Sequence, residues 1–134
     1  MPIFNPSEVL NQIKIPPGAI AADFGCGSGY FTLELAKRVG PQGKVYALDV
    51  LPTALESVRS LAKIQNLSNI ETRWTNLEKT STLEEKSCDF VLISNLFFQV
   101  EKKYWPVIIK EAKKILKENG QLLIIDWQKE SDLG

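Results

Sequence analysis

The sequence predicts an α/β fold: a doubly wound parallel sheet of about five strands in a single domain. Three observations predict it. Apolar runs of strand length alternate along the chain with segments of helical periodicity. Most of those runs are continuously apolar, as strands buried on both faces require. The chain has 134 residues, a length that suits one core and buries about two thirds of the surface exposed when unfolded. The domain is expected to span residues 1–134, with 1–17 as an N-terminal helical segment and 128–134 as a tail.

The elements follow in order. From Pro6 to Ile13, with Val9, Leu10 and Ile13 on one side, the pattern is a short amphipathic helix that Pro16-Pro17-Gly18 ends. Ala19 to Phe24 is a brief apolar strand, and Gly25 to Gly29 a loop. Phe31, Leu33, Leu35, Ala36 and Val39 recur at helical spacing until Gly40-Pro41-Gln42-Gly43. Lys44 to Asp49 repeats the strand signal, and Pro52 suits the first turn of a helix running to about Asn66. Ile70 to Thr75 is a third strand, followed by a polar connection through Lys86. Asp89 to Ser94 is the clearest strand of all. Pro106 opens a helix with an apolar stripe of Val107, Ile108, Ala112, Ile115 and Leu116; Gly120 is expected to cap it, and Gln121 to Trp127 to form the fifth strand.

Right-handed crossovers put the C-terminal ends of parallel strands on one edge, where such sheets bind ligands. The residues placed there are Gly25 to Gly29, Asp49-Val50, Asn76-Leu77, Asn95-Leu96 and Asp126-Trp127.

Sixteen basic and sixteen acidic residues cancel, so no net field draws the protein onto nucleic acid or an anionic membrane. A small-molecule substrate is favoured. Lys102-Lys103 and Lys113-Lys114 read as solvated helix faces. Cys26 and Cys88, with no histidine in the chain, make neither a disulfide framework nor a zinc site, so no metal is expected and the setting is expected to be cytoplasmic. No stretch has the apolar length of a membrane span, and the N-terminus lacks the pattern of a leader.

Glycines at 25, 27 and 29 let the backbone turn tightly from strand to helix and leave helix-start N–H groups for an anionic group. The dinucleotide fingerprint G-x-G-x-x-G wants its third glycine where this chain has Tyr30; the spacing here is G-x-G-x-G. The segment Ala22-Asp23-Phe24-Gly25-Cys26-Gly27-Ser28-Gly29-Tyr30-Phe31 resembles the first motif of class I S-adenosylmethionine-dependent methyltransferases, which have a Rossmann-like fold. Asp49 closing the second strand, Asn76-Leu77 after the third, and the turn Lys117 to Gln121 before the fifth extend the resemblance from about residue 5 to 128.

The resemblance implies S-adenosylmethionine as cofactor and gives roles to particular residues. Asp23 and the Gly25 backbone would face the methionyl ammonium, with Gly27, Gly29 and Tyr30 completing the loop. Asp49 would accept from both ribose hydroxyls, and Val50 would pack on the adenine. Asn76, where many relatives have aspartate, would accept from the adenine amino group, and the Leu77 N–H would reach a ring nitrogen. Asn95 would lie beside the methionyl part and the reactive methyl. Each carboxylate or amide has a plainer alternative: Asp49 as a cap of the next helix, and Asn76 or Asn95 bonded to loop backbone. Phe97-Phe98 and Tyr104-Trp105 could line an apolar substrate wall, but aromatics beside a buried helix are more often core.

The sulfonium already makes the methyl electrophilic, so the protein's task is to hold a nucleophile in line and exclude water. Catalytic residues are not assigned. Asp126, Glu101 and Tyr104 are the candidate bases near the edge. Because Asn95 precedes Leu96-Phe97-Phe98, the Asn-Pro-Pro-aromatic motif of amino-directed relatives is absent. Relatives usually continue beyond the fifth strand, so Leu122 to Ile125 is expected to be an exposed apolar edge, buried in a homodimer or other assembly. The alternative function is a shortened S-adenosylmethionine-binding module with little turnover. A nicotinamide-dependent oxidoreductase is disfavoured by Tyr30.

Overall fold

The computed structural model describes residues 5–97 and 99–126. Five parallel strands form one sheet: β1 (Ile20–Phe24), β2 (Lys44–Asp49), β3 (Ile70–Trp74), β4 (Cys88–Ser94) and β5 (Leu116–Ile125), in the order β3-β2-β1-β4-β5. The helices are α1 (Pro6–Leu10), α2 (Tyr30–Val39), α3 (Pro52–Ile64) and α4 (Trp105–Ile115), the last preceded by a 3-10 turn at Lys102–Tyr104.

The apolar runs of β1 and β4 are explained by a sheet covered on both faces. Ala21, Val45, Phe90 and Leu92 face α1 and α2, where Leu10, Leu35 and Val39 are buried with them. Ala47 packs with Leu55 and Val58 of α3 on the same side. Ala22, Phe24, Leu48, Val91 and Ile93 point the other way, onto Ile108, Ala112 and Ile115 of α4. Strand order reverses between β1 and β4, so the chain leaves these adjacent strands toward opposite faces and a crevice opens at their C-terminal ends.

Several boundaries differ from expectation, each for a local reason. The first helix ends at Leu10 and not Ile13; beyond it, Gln12 and Ile13 donate to Val9 and Leu10 in tighter turns. The third helix stops at Ile64 because Asn66 turns left-handed (φ 57°) and the Leu67 N–H reaches back to the Ala62 carbonyl.

The larger correction concerns Gly120, which does not cap α4. The helix ends at Ile115, and its last carbonyls accept from the strand entering beside it: the Lys86 N–H donates to Lys114 (3.1 Å) and the Ser87 N–H to Ile115 (2.8 Å). Leu116 is already extended and pairs with Cys88, while Gln121 pairs with Phe90, so residues 117–120 bulge out of the ladder. Gly120 serves that bulge: a Cβ there would lie 2.8 Å from Leu116 Cδ2 and 3.0 Å from the Lys117 carbonyl. The fifth strand thus begins at Leu116, five residues before its expected start at Gln121. Its expected last residue, Trp127, lies outside the described residues, as do Phe98 and the 128–134 tail.

Residues 75–87 join β3 to β4 without a regular element. The connection packs on the α4 face through Leu77 and Leu83. It is fastened there by Glu111, whose carboxylate accepts from the Ser81 N–H (2.8 Å) and the Ser81 hydroxyl (2.6 Å).

Candidate functional site

The loop after β1 is built on three left-handed glycines, Gly25 (φ 82°), Gly27 (φ 53°) and Gly29 (φ 93°). Most of its own N–H groups are spent inside the protein. Gly25 and Cys26 both donate to the Leu48 carbonyl (2.8 and 3.0 Å), Gly29 to Cys26 (2.9 Å), and Gly27 to Asp49 Oδ2 (3.0 Å). What remains is the first turn of α2, whose N-cap, Gly29, supplies no side-chain acceptor. Those N–H groups receive no side-chain cap, and an uncapped helix start suits an anionic group.

The glycines divide their work. A Cβ on Gly27 would meet nothing within 4 Å, so this residue borders open space, whereas one on Gly29 would lie 2.9 Å from Val58 Cγ2. Gly29 brings α2 against α3 and does not line the cleft.

Asp49, at the end of β2, is buried and holds the loop from the side. Oδ2 accepts from Gly27 and Oδ1 from the Leu51 N–H (3.0 Å). It is not the N-cap of α3; that position is Leu51, which makes no side-chain cap bond. Each carboxylate oxygen keeps a further lone pair for a ligand hydroxyl. Val50 and Leu51 are 48% and 54% exposed beside it, an apolar shelf at the mouth.

After β3, Asn76 Oδ1 accepts from the Glu78 N–H (3.1 Å), so its loop-backbone role is real. After β4, Asn95 is left-handed (φ 59°). Its N–H donates to the Ile125 carbonyl (2.8 Å), and its own carbonyl accepts from Gln99 Nε2 (3.1 Å). Its Oδ1 is buried with no hydrogen-bond donor among the described residues.

Asp23 departs from expectation. It lies within β1, between Ala47 and Leu92 on the neighbouring strands, fully buried and outside the cleft wall. Thr32 in the first turn of α2 donates its hydroxyl to Oδ2 (2.7 Å), and Oδ1 has no donor among the described residues. Burial pushes the carboxyl up to about 7, the Thr32 bond pulls it down and the nearby charge of Asp49 raises it again. The side chain is buried and bonded to Thr32 and is not part of the cleft wall, so it does not stand where the expected direct contact would need it.

Eight of the ten sequence-predicted residues line one cleft of about 600 Å3: Gly25, Gly27, Tyr30, Asp49, Val50, Asn76, Leu77 and Asn95. The volume suits a cofactor-sized ligand. Asp23 and Gly29 are the two that do not line it.

The sequence profile of a family described as "Methyltransferase domain" matches residues 21–120. The chain belongs to that methyltransferase family. A demethylmenaquinone methyltransferase of Geobacillus stearothermophilus is 28% identical over 113 residues, which cover 84% of this chain and 47% of that protein. Among solved structures, an S-adenosylmethionine-dependent methyltransferase of Aquifex aeolicus is 30% identical with a TM-score of 0.84, covering 95% of this chain and 66% of that one. An S-adenosylmethionine-dependent O-methyltransferase of Thermotoga maritima shares the fold at 18% identity, with a TM-score of 0.77 and coverage of 96% and 45%. The chain thus spans about half the length of the curated relatives it matches.

The methyltransferase domain also lines its cleft with residues that sequence reasoning missed. Pro6 of α1, Val100, and Ile108 of α4 also line it, and Glu78 adds a carboxylate beyond Asn76. Pro6 and Ile108 lie on helices read only as core, and their sequence carries no signal for a cleft. Glu78 had one, its position two residues after the edge asparagine. Of the suggested bases, none lines the cleft of the methyltransferase domain. Asp126 Oδ2 accepts from the Phe97 N–H (2.8 Å), Glu101 lies 3.8 Å from Lys103, and Tyr104 sits under the Lys103 ammonium. Phe97 and Trp105 pack together with ring centroids 5.2 Å apart, which makes them core. Lys102, Lys103, Lys113 and Lys114 are solvent-exposed.

Proposed function

We propose that this chain binds S-adenosylmethionine at the C-terminal edge of its sheet and transfers the methyl group to a small-molecule acceptor. One observation carries the reading: the bond from Gly27 N–H to Asp49 Oδ2 (3.0 Å) joins the glycine loop to the acidic residue ending β2 on the rim of one cleft. A dipolar nucleoside amino acid needs those two features side by side.

The donor set fits the cofactor. The unfilled first turn of α2 suits the methionyl carboxylate, and the negative field of Asp23 suits the ammonium and sulfonium. Asp49 retains lone pairs for the ribose diol, Val50 offers an apolar face to the adenine, and Asn76 with the Leu77 backbone stands at its edge. Gly25 and Gly27 keep the floor free of side chains, and Gly29 sets the helix angle. Tyr30 and Asn95 flank the methionyl end. When bound, the cofactor supplies an electrophilic methyl; the chain's residues orient it, hold the acceptor in line and shut out water.

The names of the curated relatives, demethylmenaquinone methyltransferases, support the small-molecule class. Calorimetric titration with S-adenosylmethionine, S-adenosylhomocysteine and NAD tests the reading. The first two are expected to bind and NAD not; silence from the first two would sink it. A binding module without turnover is the alternative reading. A methyl-acceptor screen separates the two.

Two finer readings go with this proposal. A homodimer burying the β5 edge is supported by half-exposed Leu122, Leu123 and Ile125 and by Ile124 at 41% exposure on a strand paired on one side only among the described residues. A monomeric mass by light scattering at high concentration would count against it. A cytoplasmic setting without nucleic-acid partners is supported by two free, buried cysteines and zero net charge.

A further inference from the structure

The helix α1 is five residues long, too short to hold itself together in water. It packs chiefly on α2, where Leu10 is fully buried in one cluster with Leu35 and Val39. Its first residue, Pro6, lines the cleft, as do Tyr30 and Phe31, which open α2. Leu10 fastens the far end of α1. The end that carries the cleft residue needs an attachment of its own.

Arg38, in the last turn of α2, supplies it. Nη2 donates to the Ser7 carbonyl (2.9 Å) and to Asn11 Oδ1 (2.7 Å), spanning one turn of α1. On the other side of the guanidinium, Glu34 Oε2 lies 3.4 Å from Nε, an ion pair not aligned as a hydrogen bond. Ser7 follows Pro6 directly, and the proline ring fixes its own φ, so a shift of Ser7 carries the ring with it. The bond is not needed for the helix turn itself. The Ser7 carbonyl also accepts from the Asn11 N–H (2.9 Å), so removing the guanidinium strands no acceptor there. What Arg38 sets is where α1 stands.

We propose that Arg38 is a positioning residue for cofactor retention: by holding Ser7 it keeps Pro6 in the cleft wall and slows departure of the bound cofactor. The proposal rests on S-adenosylmethionine occupying the cleft. A wall carried by a short helix with one main support opens at lower cost than one carried by the sheet, so its clamp acts mainly on the rate of release. The helix whose first turn is proposed to receive the methionyl carboxylate thus also holds, from its last turn, a second part of the wall.

The test follows release of tritiated S-adenosylhomocysteine from the intact protein into excess unlabelled ligand. Arg38→Ala is expected to speed release about tenfold. In a Pro6→Gly background, where the wall is already lost, the same change is expected to alter release by less than about twofold. A general loosening of the fold would instead act alike in both backgrounds. Asn11→Ala, which removes one of the two acceptors on an exposed side chain, is expected to speed release about threefold and decides the matter if Arg38→Ala does not fold. Hydrogen exchange of the ligand-free protein reads the clamp without the cofactor. The Val9 and Asn11 amides, bonded to the Asn5 and Ser7 carbonyls, are expected to exchange about tenfold faster in Arg38→Ala, with those of β1 unchanged. Unchanged release, equal acceleration in both backgrounds, or unchanged exchange in α1 overturns the proposal. Failure of the unaltered protein to bind S-adenosylhomocysteine overturns the cofactor reading, and retention with it, while exchange still judges whether Arg38 holds α1.

Discussion

Glu111 of α4 takes both hydrogen-bond donors of Ser81, its backbone N–H at 2.8 Å and its hydroxyl at 2.6 Å. Ser81 is fully buried, and the connection it belongs to carries Asn76, Leu77 and Glu78 into the cleft. One carboxylate on a helix therefore holds an otherwise irregular segment at the ligand edge.

Replacing Glu111 by alanine strands two buried donors and is expected to destabilise the protein by about 2 kcal/mol in urea unfolding. Glu111→Gln, which keeps an acceptor oxygen, should recover part of that loss. The functional readout is base discrimination. Loosening the 75–87 connection should narrow the preference for S-adenosylhomocysteine over its inosine analogue, which lacks the amino group that Asn76 is proposed to face. Burial raises the Glu111 carboxyl, but the Ser81 bonds and Lys114 outweigh it and hold it below the ordinary glutamate value. Its stabilisation is therefore complete above the unfolded-state value and disappears as pH falls through the lower folded one.

Asp23 behaves in the opposite sense. Its folded value of about 7 lies above the unfolded value near about 3.9. The ligand-free protein is then favoured below the unfolded value and loses stability as pH rises through about 7. Asp23→Asn removes the charge while leaving an oxygen for Thr32. It is expected to stabilise the ligand-free protein at pH 8 by up to about 4 kcal/mol and to change it little at pH 4. The same variant should bind S-adenosylmethionine more weakly, since the charge that strains the empty protein suits a cation. Equal affinity in both proteins would remove Asp23 from the binding reading.

The two glycines around Ser28 should fail differently. Gly29→Ala forces a left-handed alanine and a 2.9 Å approach to Val58 Cγ2, so a loss of about 2–3 kcal/mol in stability is expected. Val58→Ala in the same background should restore the steric part. Gly27→Ala meets no atom within 4 Å; it should lose about 1–2 kcal/mol from backbone strain alone and cut cofactor affinity by blocking the open side of the loop. Thermal melts with and without S-adenosylhomocysteine distinguish the two patterns.

Cys26 and Cys88 are both free and buried, and burial pushes both thiols up, reinforced at Cys26 by the charges of Asp23 and Asp49. Both should resist iodoacetamide at pH 8 until the protein opens. Cys26 lines the cleft whereas Cys88 lies at the foot of β4 beside Leu116. S-adenosylhomocysteine should therefore slow labelling of Cys26 more than that of Cys88, as peptide mass spectrometry would show.

Features that depend on local chemistry were legible in the sequence. The alternation of apolar runs and helical stripes gave five strands in order, and Lys44 to Asp49 was bounded to the residue because a glycine turn and a proline-started helix flank it. Features that depend on tertiary partners were not. Leu116 reads as the last turn of a helical stripe, yet Lys86 and Ser87 satisfy that helix one residue earlier and free Leu116 to pair with Cys88. Asp23 and Asp49 look alike as acids near a glycine loop. Only the register of β1 between two strands buries the first, while the end of β2 leaves the second on the rim. Gly27 and Gly29 differ because α3 passes behind one of them, a fact no spacing encodes.

The position of β1 at the middle of the sheet bears on how the protein is made. Its partner on one side, β2, follows within the next few dozen residues, but its partner on the other, β4, spans Cys88–Ser94. A growing chain that has formed β1, β2 and β3 still shows one whole row of amides and carbonyls along Ala21 to Phe24, next to apolar side chains. During translation the central strand is thus an edge strand until residue 94 has emerged, and that interval is when the unfinished sheet is most open to pairing with a neighbouring chain.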